Sequence, residues 1–260
     1  MERKHKRINV AKKNKLIAAY RLPLTRRPAD PSSPFQADGD LNGAVINNSV
    51  FSFVAGMSRL NKEYTRKSYL LASSYVSEVL KVGRGTQAWY DEFIKVMSSL
   101  GWLPIRSSFE RVTTSVKGLS VQMAVMNIIS STVASTFLSG SLAMALPRLA
   151  ADAFEALKQL SAPFDLFKRN IVNHEGGDFG LASCSEVDGD VLMVLVTYSA
   201  HGVSTKVGVP FFEWDSSTIE AYSGQTCLML NPAVVNDATI KQLRESAGDK
   251  VLHAIAQYQI

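Results

Sequence analysis

The sequence predicts a single α+β (mixed α/β) domain, with N-terminal helices packed on a C-terminal antiparallel β-meander and a closing helix. Three observations predict it. Apolar side chains recur at helical spacing between Asn61 and Leu100, the pattern changes to alternation after Pro163, and Asp188-Gly189 separates two alternating runs as a hairpin turn would.

Residues 1–33 read as a flexible basic arm, because the Pro-rich stretch from Arg27 to Pro34 cannot continue a helix. The domain, residues 34–260, opens with a linker rich in Gly and Asn up to about Asn48 and an apolar run, Val50 to Gly56. From Asn61 to Val82 the spacing of Tyr64, Tyr69, Leu70, Leu71, Val76, Val79 and Leu80 predicts an amphipathic helix, with Gly83 in the left-handed position that ends it. Thr86 is placed to cap a second helix. Trp89, Phe93 and Met97 share one face of it, Gly101 stops it, and Trp102 to Phe109 follows as a strand.

Gly118 to Pro147 is a run of thirty residues without Asp, Glu, Lys or Arg. Two packed helices, about 119–138 and 146–160, are expected there, the second carrying Pro147 in its first turn. The run is either a buried core hairpin or a membrane-inserting segment; its many hydroxyls fall short of the ~20 predominantly apolar residues of a spanning helix. Beyond Pro163, strands are expected at 179–187, 190–200, 203–212, 218–222 and 225–230, with Ser223-Gly224 as a turn between the last two. Asn231-Pro232 then starts helical sequence that runs to Tyr258 with a break near Gly248.

The chain has 260 residues, 46% hydrophobic and 20% charged, which is a globular composition. Its formal charge of +5 is unevenly distributed. The first 27 residues hold ten Lys or Arg against one acid, Glu2, and so carry +9, while the other 233 sum to −4. A uniformly basic nucleic-acid-binding fold is thereby excluded, and attraction to anionic partners belongs to the arm. Lys12, Lys13, Lys15 and Arg21 interrupt any apolar stretch that a cleavable secretory signal would need. The expected location is the cytoplasm of the producing cell, or release without such a signal, with peripheral membrane association open.

Strong catalytic and nucleotide signatures are missing, and Gly83-Arg84-Gly85 lacks the preceding strand of a phosphate loop. Two cysteines, Cys184 and Cys227, are too few for a disulfide scaffold or a Cys-rich zinc site, and no metal is expected. Strand alternation puts Gly180, Ala182 and Cys184 on one face and Phe179, Leu181 and Ser183 on the other. A thiol beside Gly and Ala leaves room for a packed helix or for an acyl chain on the sulfur. His174, ten residues before Cys184, and His201, at the end of the pairing strand, are candidate bases for a nucleophilic thiolate. Cys227, between Thr226 and Leu228, reads as a small core residue.

The stretch Phe51 to Met57, the helix with Leu70-Leu71-Ala72, the Trp89-Tyr90 pair leading to Gly101-Trp102, and the strand from Gly177-Asp178-Phe179 to Ser183-Cys184-Ser185 together resemble the Erwinia virulence factor family. The resemblance covers about residues 50–260 and leaves the arm outside it. It implies an α/β fold, a cysteine carrying a covalent palmitoyl group, association with anionic membranes and a role in bacterial persistence in an insect gut. By position in the matching strand, Cys184 is the acylated residue that the resemblance implies.

The resulting expectation is a virulence-factor-like protein with a palmitate-like fatty acid on Cys184. It would meet anionic membranes through Arg3, Lys4, Lys6, Arg7, Lys12, Lys13 and Lys15, since one acyl chain anchors weakly and a polybasic patch is the usual second signal. Three other readings stay open. One is a cysteine enzyme of acyl transfer using Cys184 with His174 or His201; another is an assembly protein whose arm neutralises nucleic acid; the last is a pore-former that releases the uncharged run into lipid. The sequence does not fix an oligomeric state.

Overall fold

A computed structural model describes residues 42–112, 127–132, 141–173, 176–187, 189–201, 220–248 and 254–258. The arm, His174 and the strand expected at 203–212 lie outside the described residues.

The first element is a short hairpin, β1 (Gly43–Ile46) and β2 (Ser49–Phe53), turned by Asn48 and by Asn47 at φ 54°. Asn tolerates that left-handed conformation better than most side chains. The linker expected up to Asn48 therefore contains a strand. α1 (Arg59–Ser74) starts at Ser58, whose hydroxyl accepts the Asn61 N–H, and runs into a π-helical turn, Tyr75–Val79. Gly83 does not close it: the left-handed residues of the connection are Lys81 (φ 55°) and Gly85 (φ 76°). α2 (Gln87–Ser99) is capped by the Thr86 hydroxyl and ends before Gly101 at φ 104°, as its sequence predicts. β3 (Trp102–Val112) follows.

Of the uncharged run, 127–132 is helical and α3 (Ser141–Lys158) begins five residues earlier than expected, so Pro147 lies inside it. α4 (Ser161–Ile171) and the two-residue β4 (Val172–Asn173) lead to the hairpin β5 (Gly176–Val187) and β6 (Asp190–His201), turned at Gly189 with φ 84°. β7 (Glu220–Leu230) is one continuous strand through Ser223-Gly224, where a turn was expected. A short 3₁₀ turn, Pro232–Val234, precedes α5 (Asp237–Ala247), which Asn236 and Thr239 cap reciprocally. The expected helix to Tyr258 is replaced at its end by β8 (Ile255–Tyr258), which pairs antiparallel with β1 and closes one edge of the sheet.

The sheet order is β3-β7-β6-β5-β2-β1-β8, with β4 beside β5. Pairing is antiparallel throughout except β2 with β5, which run parallel with Phe53 opposite Cys184. Helices cover both faces, which is why the central strands carry apolar residues on both sides. On one face, α1, α2 and α5 bury Phe51, Phe53, Ala182, Cys184, Met193 and Leu195. On the other, α3, α4 and Ile129 bury Val50, Phe179, Leu181, Val194, Val196 and Cys227. The second layer is tied down by polar contacts too: Ser183 Oγ donates to the Leu146 carbonyl at 2.9 Å and meets Ser52 Oγ at 2.9 Å.

Near the end of β5, Glu186 accepts the Ser58 backbone N–H at 2.8 Å and so pins the start of α1 to the sheet. Burial pushes its carboxyl pKa up, but the hydrogen bonds from Asn61 and Ser58 outweigh that and hold it below its ordinary value. A carboxyl depressed in the folded state adds stability above its unfolded pKa of about 4.3 and loses it as pH falls through the folded value. The cost of Glu186→Gln in urea unfolding should therefore shrink between about pH 6 and about pH 3. A cost independent of pH would mean that the carboxylate's charge plays no part in the contact.

Candidate functional site

Cys184 sits in the last third of β5, facing the α1 layer, as strand alternation predicts. Its exposure is 0% and burial pushes the thiol well above its ordinary pKa. The sulfur is a small core residue in this state, packed opposite Met193 of β6 and Phe53 of β2. Cys227 is equally buried on the other face. Neither thiol is poised as a nucleophile, because a reactive cysteine needs exposure and a lowered pKa.

His201 pairs with Gly176 while Cys184 pairs with Met193. Eight residues of strand at ~3.3 Å each separate the two positions, about 26 Å, so the backbone does not bring His201 to the thiol. The acyl-transfer arrangement of Cys184 with His201 is not assembled in this fold. Among the described residues no group of His, Cys, Asp and Glu is clustered for a metal ion.

Thiol chemistry offers a direct check of this closure. In native buffer both cysteines should react with a thiol reagent orders of magnitude more slowly than after unfolding in guanidinium, because reaction waits for local opening. Fast labelling of Cys184 in native buffer would show that the α1 layer lifts easily from the sheet.

A second site was not legible in the sequence. One end of the sheet, between the β1–β2 turn, the loop after the π-helical turn and the start of α2, holds a small open cleft with room for about one water molecule between its walls. Arg84 stands at this mouth. Its Nε donates to Ser77 Oγ at 3.0 Å, its Nη1 donates to Asn48 Oδ1, and its guanidinium lies 5.5 Å over the Trp89 ring. Trp89 Nε1 donates to the same Ser77 Oγ at 2.9 Å, so the π-helical turn positions both side chains through one hydroxyl. A π-helical turn and a non-glycine residue at positive φ, Lys81, concentrate unusual backbone on one short connection.

The floor is Tyr69, whose hydroxyl lies 2.6 Å from Ser49 Oγ. Desolvation raises its pKa, with Arg84 and Asp178 pulling in opposite directions. The wall is aromatic: Tyr222 stacks on Phe109 at 5.8 Å and 9°, and Tyr90 meets Phe109 at 5.8 Å. Two glycines let these parts approach. A Cβ on Gly180 would lie 2.4 Å from Ser49 Oγ, and one on Gly224 would lie 2.5 Å from the Tyr90 ring. The lining includes Gly180 but not Cys184, which is four residues further along β5, about 13 Å away.

No family model and no curated protein matches the chain. Among solved structures, one described as a delta-endotoxin is similar over 80% of this chain and 90% of that chain, with 11% identity and a TM-score of 0.39. An overlap this loose carries over neither a residue nor a role.

Proposed function

We propose that the protein associates peripherally with anionic membrane surfaces through its first 33 residues, the folded body being the cargo that the arm brings to the surface. The observation that carries this reading is the segregation of charge, +9 on residues 1–27 against −4 on all the rest. A polybasic segment gains about 1 kcal/mol per Lys or Arg near an anionic leaflet. Tyr20 is the only aromatic in the arm, which leaves little to stack on bases and tells against nucleic acid as the main partner. Among the described residues no helix is long and apolar enough to cross a membrane, which fits attachment from outside the bilayer.

A fatty acid on Cys184 is a narrower form of the same reading. The sulfur's burial confines it to a thiol acylated before the core closes, or during an opening of the α1 layer. Intact-protein mass with and without hydroxylamine separates the two forms: a labile adduct of acyl size means a lipidated core, and its absence leaves the arm as the sole anchor.

Cosedimentation with vesicles tests the main claim. Binding should be strong with phosphatidylserine present, weak with phosphatidylcholine alone, and should fall steeply as salt shortens the screening length. Equal binding to neutral vesicles, or tighter binding to RNA than to anionic vesicles, would sink it.

A further inference from the structure

We infer that the Arg84 cleft binds a single monatomic anion, chloride under ordinary conditions, held by the guanidinium and by backbone N–H groups at the start of α2. This site is separate from the arm and goes beyond the membrane reading.

An uncompensated charge stands at the mouth of the cleft. Arg84 is half-buried and held by Ser77, Asn48 and the Trp89 ring, all of them neutral, and it forms no ion pair with a carboxylate among the described residues. Its hydrogen bonds use two of the five N–H donors of a guanidinium, so donors remain. Partial burial removes some of the water that would otherwise satisfy them. The neighbouring backbone adds to the same positive potential. Gly85 and Thr86 line the cleft, and their N–H groups donate to no protein group among the described residues. Thr86 is also the N-cap of α2, a helix of 13 residues, whose first turn carries the unsatisfied N–H groups and partial positive charge of a helix start. Two independent sources of positive potential, a guanidinium with spare donors and a helix N-terminus, thus meet at one opening.

Size and charge select the ion. The walls leave space for about one water molecule, which shuts out carboxylate ligands, phosphates and sugar rings but admits a halide, an ion only slightly larger than water. Asp178 also lines the cleft, but it is engaged by a partner of its own and is not a contact of the ion. Its negative charge disfavours a multivalent anion, so a single charge is the match. Once bound, the ion would neutralise Arg84 and bridge it to the start of α2. The connection from the π-helical turn to α2 would then tighten as halide concentration rises.

The test melts the full chain in sodium chloride, sodium bromide and sodium gluconate at one fixed ionic strength. With a Kd of about 10 mM, about 100 mM chloride raises the folding constant about elevenfold and the melting temperature by about 2–5 °C over gluconate. Bromide should act like chloride, while gluconate is too large to enter. Screening is equal in the three salts, and exclusion from the protein surface favours gluconate, so a gain from either halide reports a site. Arg84→Gln keeps a hydrogen-bonding side chain without the charge and should lose that gain. Crystals soaked in sodium bromide need no variant: an anomalous peak is expected between the Arg84 guanidinium and the Thr86 backbone. The proposal falls if the halides melt the protein no higher than gluconate, or if Arg84→Gln keeps the gain. It falls too if no bromide peak lies at Arg84, which would leave water only in the cleft, or if the peak comes without a gain in solution, which would make it an adventitious ion only. Removing residues 1–33 should leave the halide gain intact, so failure here and failure of the membrane reading are read separately.

Discussion

Deleting residues 1–33 should abolish binding to anionic vesicles while leaving the melting curve of the body in place. The truncation removes all ten of the arm's Lys and Arg, with Glu2 and Asp30, and leaves residues 34–260 at a formal charge of −3. If half of the ten cations engage the surface at about 1 kcal/mol each, the loss is about 5 kcal/mol, or roughly three to four orders of magnitude in partition. The remaining charge has the wrong sign, so the body should be weakly repelled. Because the surface potential reads charge and not order, an arm of the same composition with its residues shuffled should bind like the parent. A truncated protein that still binds within about tenfold would place the membrane contact on the body, and the uncharged run, residues 118–147, would then be the first place to look.

Much of the local structure is legible because it depends on short-range chemistry. The Thr86 cap, the Gly101 stop and the Gly189 turn each rest on one residue with a steric or hydrogen-bonding reason to be there. Alternation likewise puts Cys184 on the α1 face and Leu181 on the other, where they are found. What is not legible is long-range. β1 and β8 have four residues each, too few for a period to show; β1 is a strand through its pairing with β2 and β8, and β8 through its pairing with β1. The parallel pairing of β2 with β5 joins Ser49 to Gly180 across the chain, and no local pattern announces it. The cleft fails to appear in the sequence for the same reason, since Asn48, Tyr69, Arg84, Asp178 and Tyr222 come from five separate segments. The signal that could have raised it is a pair of glycines, Gly180 and Gly224, inside strongly alternating runs. Such glycines mark a close approach by something else, and here those things are Ser49 and Tyr90.

Gly224→Ala should be among the most destabilising single substitutions in the protein, costing about 3–5 kcal/mol. Read locally, Ser223-Gly224 is a turn, and alanine in a turn costs little; read in β7, the glycine is the floor on which Tyr90 lies. The new Cβ would stand 2.5 Å from Cδ2 and Cε2 of that ring and 2.6 Å from Thr197 Oγ1. Neither neighbour can give way cheaply. Tyr90 is 2% exposed, its hydroxyl donates to the Gln225 carbonyl at 2.5 Å and accepts from Ser107 Oγ at 3.3 Å, and Phe109 blocks its side. Relief therefore requires both a shift of β7 against β3 and β6, which costs about 1–3 kcal/mol as overpacking does, and rotation of the ring with loss of a buried hydrogen bond, about 1–3 kcal/mol more. In a chain of this size a loss of 3–5 kcal/mol lowers the melting temperature by roughly 6–20 °C. A double-mutant cycle isolates the cause. Tyr90→Ala alone opens a cavity and should cost about 3–5 kcal/mol, but combined with Gly224→Ala the total should fall well short of the sum, because the clash is gone and the new methyl fills part of the space. Strict additivity would show that the contact with Thr197, not the ring above Gly224, makes alanine costly, and with that the close packing of Tyr90 on β7 would lose its claim to set the shape of the Arg84 cleft.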